Sequence, residues 1–172
     1  MGGIDPLTFE IEFIERTQII LNSYRGDYDF TLLTNCLYSL IVLTCERIKV
    51  NPPVGFQVAI DDFDELKPLI ASDHFSFDPV DKNGKPQPKT LAAFLRRMRN
   101  SLAHAAVEPL SEPEDSGPES KWIELYFCAQ NTYAPNHPIE LDVGFNYAQL
   151  KAFALAISTL YQKEFLGIND LT

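Results

Sequence analysis

The segment from Arg99 to His104 places a permanent cation, an amide and an imidazole within six consecutive residues. Arginine stays charged at physiological pH, and its planar guanidinium can form paired hydrogen bonds with phosphate oxygens. A histidine side chain gives or takes a proton near neutral pH, so it can serve as a general acid or base. Asn100 adds an amide between these two groups. The set therefore favours chemistry on a phosphodiester, and RNA cleavage is the reaction that it suits best.

A helix is predicted to carry this motif. Apolar residues recur at the spacing of one buried helical face, at Leu91, Phe94, Leu95, Met98 and Leu102. Thr90 is a candidate N-cap for that helix. Asn100 and His104 share a helical face, whereas Arg99 and His104 point in directions roughly 140° apart. Either the long Arg99 side chain reaches back toward the imidazole, or the same helix of a second chain completes the site.

A purely structural interpretation of the motif stands beside the chemical one. Arg99 and Asn100 would then be solvated surface residues, and His104 would cap the helix end, where the helix dipole favours a cation. A pattern this short also occurs in unrelated proteins. The surroundings favour function, because the motif ends a strongly apolar helix and two more strongly apolar helices precede it.

The motif resembles the signature of the HEPN superfamily (higher eukaryotes and prokaryotes nucleotide-binding). Nuclease members of that superfamily carry an arginine, a polar residue, three further residues and a histidine late in their third helix. Arg99, Asn100 and His104 match this pattern without a gap. The segments 13–17 and 30–43 of the first two helices also resemble a bacterial, often plasmid-borne branch of the superfamily.

This resemblance implies a metal-independent endoribonuclease that leaves a 2′,3′-cyclic phosphate and a 5′-hydroxyl. Such enzymes are commonly toxins or defence components, with an antitoxin as a candidate partner. They work as homodimers in which the two motifs face each other. By the same resemblance Arg99, Asn100 and His104 are the catalytic residues. Other members have lost catalysis and act as binding or adaptor modules for a nucleotide, an RNA or a protein, and this alternative stays open.

The charge of the chain restricts how it could bind RNA. The formal net charge is −10 and the sequence pI is about 4.6. Broad nonspecific binding to nucleic acid depends on many lysine and arginine contacts to phosphate, so it is not expected here. Any RNA contact must be local, and Arg96 and Arg97 beside the motif are the predicted substrate-binding residues. The acidic net charge also favours the catalytically silent alternative.

Length and composition indicate one domain over residues 1–172, with 45% hydrophobic residues to form its core. The three cysteines lack the spacing of a metal site, so no metal and no cofactor is expected. No apolar run reaches the ~18 residues of a membrane span, and the start lacks a secretory signal pattern. We therefore expect a cytoplasmic protein without a membrane partner.

The pattern of elements predicts an all-α fold, an up-and-down bundle of four principal helices. Residues 1–8 are interpreted as a flexible lead-in, followed by helices over about 8–24 and 29–49. The first helix is expected to bury a face that contains Phe9, Phe13, Thr17, Ile20 and Tyr24. Asn146 and Gln149 form a capping-box pattern that opens the last helix, which Gly167 ends.

Two segments interrupt this bundle. Residues 54–89 are predicted to be a long insertion with a short helix near 61–70 and a polar, turn-rich loop at 81–88. The insertion is either a loop that guides substrate or a tolerated surface addition. Alternating β-forming residues at 121–128 and 139–143 predict a small antiparallel hairpin before the last helix.

Overall fold

The structure is a computed structural model that describes residues 6–24, 29–111 and 122–168. Its helices are α1 (Pro6–Ser23), α2 (Asp29–Arg47), α3 (Lys67–Ile70), α4 (Leu91–Ala103) and α5 (Tyr147–Tyr161). Its strands are β1 (Phe75–Phe77), β2 (Val107–Ser111), β3 (Trp122–Gln130) and β4 (Ile139–Asn146). Because α1 starts at Pro6, the end of the predicted lead-in is helical, while residues 1–5 lie outside the described residues.

The strands form one four-stranded antiparallel sheet in the order β1-β4-β3-β2. The predicted hairpin is confirmed as β3 and β4, in which Phe127 lies opposite Val143. The predicted all-α fold class is wrong, because β1 and β2 extend this hairpin at both edges. The chain combines helices with a sheet in a mixed α/β arrangement.

The two added strands carry weak sequence signals. Strand β1 lies inside the 54–89 insertion and has only three residues, too few for an alternating pattern to be recognised. Its Phe75 and Phe77 rings pack against Phe94 of α4. Strand β2 contains Pro109, which lacks a backbone N–H and is tolerated because β2 is an edge strand. The insertion therefore contributes to the sheet and is more than a loop, although 81–88 is turn-rich as predicted.

Helices α4 and α5 cover the inner face of the sheet. The ring of Phe153 on α5 packs against Phe94 on α4 and against Phe145 on β4. Helix α2 packs on α4 and α5 from the other side. Helix α4 is consequently held between the sheet and α2, which fixes the position of the motif at its end.

The last helix begins and ends where the sequence predicts, whereas the buried face of α1 differs from the predicted one. The capping box of Asn146 and Gln149 is present, and Gly167 ends the following helical turn with a φ of +67°. The predicted buried face of α1 is confirmed only at its centre, where Thr17 is buried and Phe13 is half-buried. Its two ends are wrong, because Phe9, Ile20 and Tyr24 are exposed while Ile14 and Leu21 are buried. Apolar residues surround α1, so periodicity alone does not select its face.

Among the described helices, none is both long enough and apolar enough to cross a membrane.

Candidate functional site

Helix α4 begins and ends as the sequence predicts. The Thr90 hydroxyl accepts a hydrogen bond of 3.3 Å from the backbone N–H of Ala93. The predicted apolar face is buried, with Leu102 half-buried at its end. His104 is the C-cap, and its backbone N–H donates to the Asn100 carbonyl at 3.0 Å. The motif therefore occupies the last turn of α4.

A pocket of about 230 Å³ lies between the end of α2 and this last part of α4. We call it the cationic pocket, and its lining residues are Cys45, Glu46, Lys49, Arg96, Arg97, Arg99 and Asn100. Four of these side chains are cationic and one is a carboxylate. Lys49 pairs with Glu46 at 3.8 Å and Arg97 pairs with Glu140 at 2.8 Å, so among the described residues the unbalanced positive charge of the pocket comes from Arg96 and Arg99. The structure thus brings both predicted substrate-binding arginines together with Arg99 and Asn100.

Arg96 is fixed in the wall of the cationic pocket by the end of α2. Its Nη2 donates to the carbonyl oxygens of Ile48 at 2.8 Å and Lys49 at 3.4 Å. A cation is favourable there because the carbonyls at a helix C-terminus carry partial negative charge. Across the described parts of the chain, no carboxylate forms an ion pair with Arg96. Its charge therefore remains available to an anion in the pocket.

Arg97 has a different environment, because its guanidinium binds a buried carboxylate. Its Nε and Nη2 donate to Glu140 at 3.0 and 2.8 Å, and Nη2 also donates to the Val80 carbonyl at 3.2 Å. Glu140 further accepts from the Val80 N–H at 2.6 Å and from Asn131 Nδ2 at 3.2 Å. Arg97 thus ties α4 to β4 and to the insertion, with its charge balanced by Glu140.

Arg99 and Asn100 are neighbours in the lining of the cationic pocket. Arg99 is exposed, and its Nη1 donates to Asn100 Oδ1 at 3.3 Å. Within the described ranges, Arg99 has no ion-pair partner. His104 is also exposed, but it is not among the residues that line the pocket. One chain therefore brings Arg99 and Asn100 together and leaves His104 outside the pocket.

Cys45 is an uncharged residue in the lining of the cationic pocket. Burial raises the pKa of the Cys45 thiol to about 12, against the opposing effect of Arg99 and Arg96. The thiol is neutral at physiological pH and is therefore not a nucleophile there. Cys45 therefore acts as a small apolar side chain at this position.

Sequence reasoning missed three residues of this region. Lys49 and Glu46 come from the end of α2, about fifty positions before the motif, and only the α2–α4 packing reveals them. Glu140 was missed because it is the second residue of β4, a strand whose alternating polar and apolar residues predict an exposed carboxylate. Asp142 has the same alternating sequence context and is exposed, so the pattern does not single out Glu140 as the partner of Arg97.

Comparison with known families identifies the family to which the chain belongs. The family model described as HEPN pEK499 p136 matches residues 2–165. The chain therefore belongs to the HEPN superfamily, whose domains are nucleotide-binding or RNase-type modules. Within that superfamily it belongs to the pEK499 p136 family. No curated protein and no solved structure matches the chain.

Proposed function

We propose that this protein is a metal-independent endoribonuclease of the HEPN type. The observation that carries the proposal is the exposed Arg99 guanidinium, which lacks an ion pair in the described structure and lies with Asn100 on a cationic pocket. The exposed imidazole of His104 ends the same helix. These are the groups needed to hold a phosphodiester, stabilise added negative charge and move a proton.

In the proposed reaction, the ribose 2′-oxygen attacks phosphorus and the bond from phosphorus to the 5′-oxygen breaks. His104 takes the proton of the 2′-hydroxyl or gives one to the leaving 5′-oxygen, and solvent water carries out the other of these two proton transfers. Arg99 stabilises the negative charge on the phosphorane, and Asn100 orients the imidazole or the phosphate. The products are a 2′,3′-cyclic phosphate and a 5′-hydroxyl.

We propose a homodimer as the active form, because one chain does not place His104 in the cationic pocket. A two-fold axis beside α4 would bring the motif helix of a second chain to the site. His104 of one chain would then act on a phosphate held by Arg99 of the other. As a cellular role we propose a toxin or defence component, with an antitoxin as its restraining partner.

The function is tested by cleavage of a single-stranded RNA in excess EDTA. We expect the same rate with and without the chelator, because the reaction uses side chains for proton transfer and charge stabilisation. Mass spectrometry of the fragments should show 2′,3′-cyclic phosphate ends. Loss of cleavage in EDTA that a divalent ion restores would contradict the proposed mechanism.

Conservative substitution of Arg99 tests its role on the phosphate. Arg99→Lys keeps the charge but loses the planar fork of donors, so we expect the cleavage rate to fall by ~10²-fold. Asn100→Ala should lower the cleavage rate less than His104→Ala does, because Asn100 only orients its neighbours. The control is Arg16→Lys on α1, where an exposed arginine pairs with Glu12. An Arg99→Lys rate equal to that of the control would refute the bidentate role.

A second candidate is a catalytically silent module that binds RNA or a nucleotide at the same pocket. The net charge of −10 favours a nucleotide as its ligand, because an acidic protein attracts a long RNA strand weakly outside the pocket. Binding of RNA by the wild-type protein without any cleavage would select this candidate.

A further inference from the structure

A second cavity lies next to the cationic pocket. Its volume is about 550 Å³, and we call it the flanking pocket. Its lining includes Pro52, Gln57, Gln87, Pro88, Thr90 and Ala93. Arg96 and Arg97 line this cavity as well as the cationic pocket, so their side chains form a wall common to both.

The 54–89 insertion supplies three polar side chains of the flanking pocket, those of Gln57, Asp81 and Gln87. Gln57 Nε2 donates to the Pro52 carbonyl at 2.6 Å, and its Oε1 has no hydrogen bond to any described residue. Gln87 Nε2 lies 3.5 Å from the Pro86 carbonyl, at the limit of a hydrogen bond. Both amides therefore retain hydrogen-bonding capacity. Amide side chains can pair with the edges of unstacked bases, which is how proteins recognise single-stranded RNA.

The wall that carries Gln87 is held in place. The Gln87 N–H donates to the Pro79 carbonyl at 2.8 Å. Asp81 Oδ1 accepts from the N–H groups of Asn83 at 2.7 Å and Lys85 at 2.9 Å, which closes the turn. Val80 joins the same segment to Glu140 and Arg97. A wall ordered in this way loses little conformational entropy when a ligand binds.

We propose that the flanking pocket binds the nucleobase of the nucleotide adjacent to the phosphate in the cationic pocket. The substrate is then single-stranded RNA, because a base can enter the flanking pocket only when it is unpaired and unstacked. Gln57 and Gln87 contact the edge of the base. Arg96, which lines both pockets, lies between the phosphate and the base. This inference rests on the proposed function for the phosphate, and it assigns a role in recognition to the insertion.

The test uses His104→Ala protein, so that the RNA remains intact, and a fluorescently labelled hexanucleotide of single-stranded RNA. Fluorescence anisotropy gives the Kd for RNA, and competition by inorganic phosphate reports on the arginines that bind phosphate, without the glutamines of the flanking pocket. In the background of His104→Ala, the Gln57→Ala and Gln87→Ala pair should raise the RNA Kd by ~10-fold, since each lost hydrogen bond accounts for a few-fold. The inhibition constant of phosphate should not change.

Two further variants make the test specific. Ala93→Trp should fill the flanking pocket and also weaken RNA binding. If this variant does not fold, the RNA Kd of the Gln57→Ala and Gln87→Ala pair decides whether the inference holds. Asn83→Ala removes an exposed amide from the same segment outside the cavity lining and should leave the RNA Kd unchanged.

An unchanged RNA Kd in the glutamine pair would overturn the inference. So would an equal rise in the inhibition constant of phosphate, or no RNA binding at all. The proposed nuclease fails separately. If wild-type protein binds RNA in the glutamine-dependent manner but never cleaves it, the flanking pocket stands and the catalytic proposal falls. If it cleaves RNA and the glutamines have no effect, the reverse holds.

Discussion

His104→Ala is expected to lower the rate of RNA cleavage by ~10²- to 10⁴-fold, the usual contribution of a group that transfers a proton in the transition state. The melting temperature should stay close to that of the wild type, because the His104 side chain is exposed at the end of α4. The measurement is the single-turnover cleavage rate of one defined RNA, with thermal unfolding recorded on the same preparations.

His74→Ala is the matched control for this experiment. His74 is also an exposed histidine, and it precedes β1 at a position outside the cationic pocket lining. We expect its cleavage rate to equal that of the wild type. Equal rates in wild type and His104→Ala, or unfolding of His104→Ala alone, would return His104 to its structural interpretation as a helix cap.

The same variant shows whether the site is shared between chains. In a dimer that pairs Arg99 of one chain with His104 of the other, a mixture of Arg99→Ala and His104→Ala proteins contains one intact site in each mixed dimer. After exchange of subunits, we expect about one quarter of the wild-type activity to return, since about half of the dimers are mixed. No recovery, with exchange verified by mass spectrometry, would place both residues in the same chain's site.

The motif helix was the part of the molecule that sequence could predict best. Thr90 caps α4, the apolar spacing from Leu91 to Met98 matches its buried face, and both signals arise within a few residues. The pocket beside it depends on contacts between distant segments, so Lys49 could not be assigned to the site beforehand. Periodicity shows that a face is buried, but it does not show what lies across from it.

The sheet shows the same limit. Strands β3 and β4 carry several alternating residues each and were predicted, whereas β1 has three residues and β2 includes a proline. These short strands form because β4 and β3 already present edges to pair with, and because Phe75 and Phe77 pack on Phe94. Their stability comes from tertiary contacts, which local propensity does not contain.

The largest expected effect on stability comes from Glu140→Ala. The Arg97 and Glu140 side chains are 15% and 4% exposed, so removal of the carboxylate leaves a mostly buried guanidinium without its partner. Loss of one member of a buried ion pair costs about 3–5 kcal/mol, and we expect the free energy of unfolding to fall by that order. The Val80 N–H and the Asn131 amide lose the same acceptor, which adds to the effect.

Urea unfolding followed by circular dichroism measures this change, with Asp64→Ala as the control. Asp64 pairs with Lys67 at 2.6 Å, but both side chains are exposed, so its loss should change stability far less. Glu140→Gln should lie between the two, because the amide keeps an acceptor for Val80 but removes the charge that balances Arg97. If Glu140→Ala were no more destabilised than Asp64→Ala, this ion pair would not be what holds α4 and the insertion against β4.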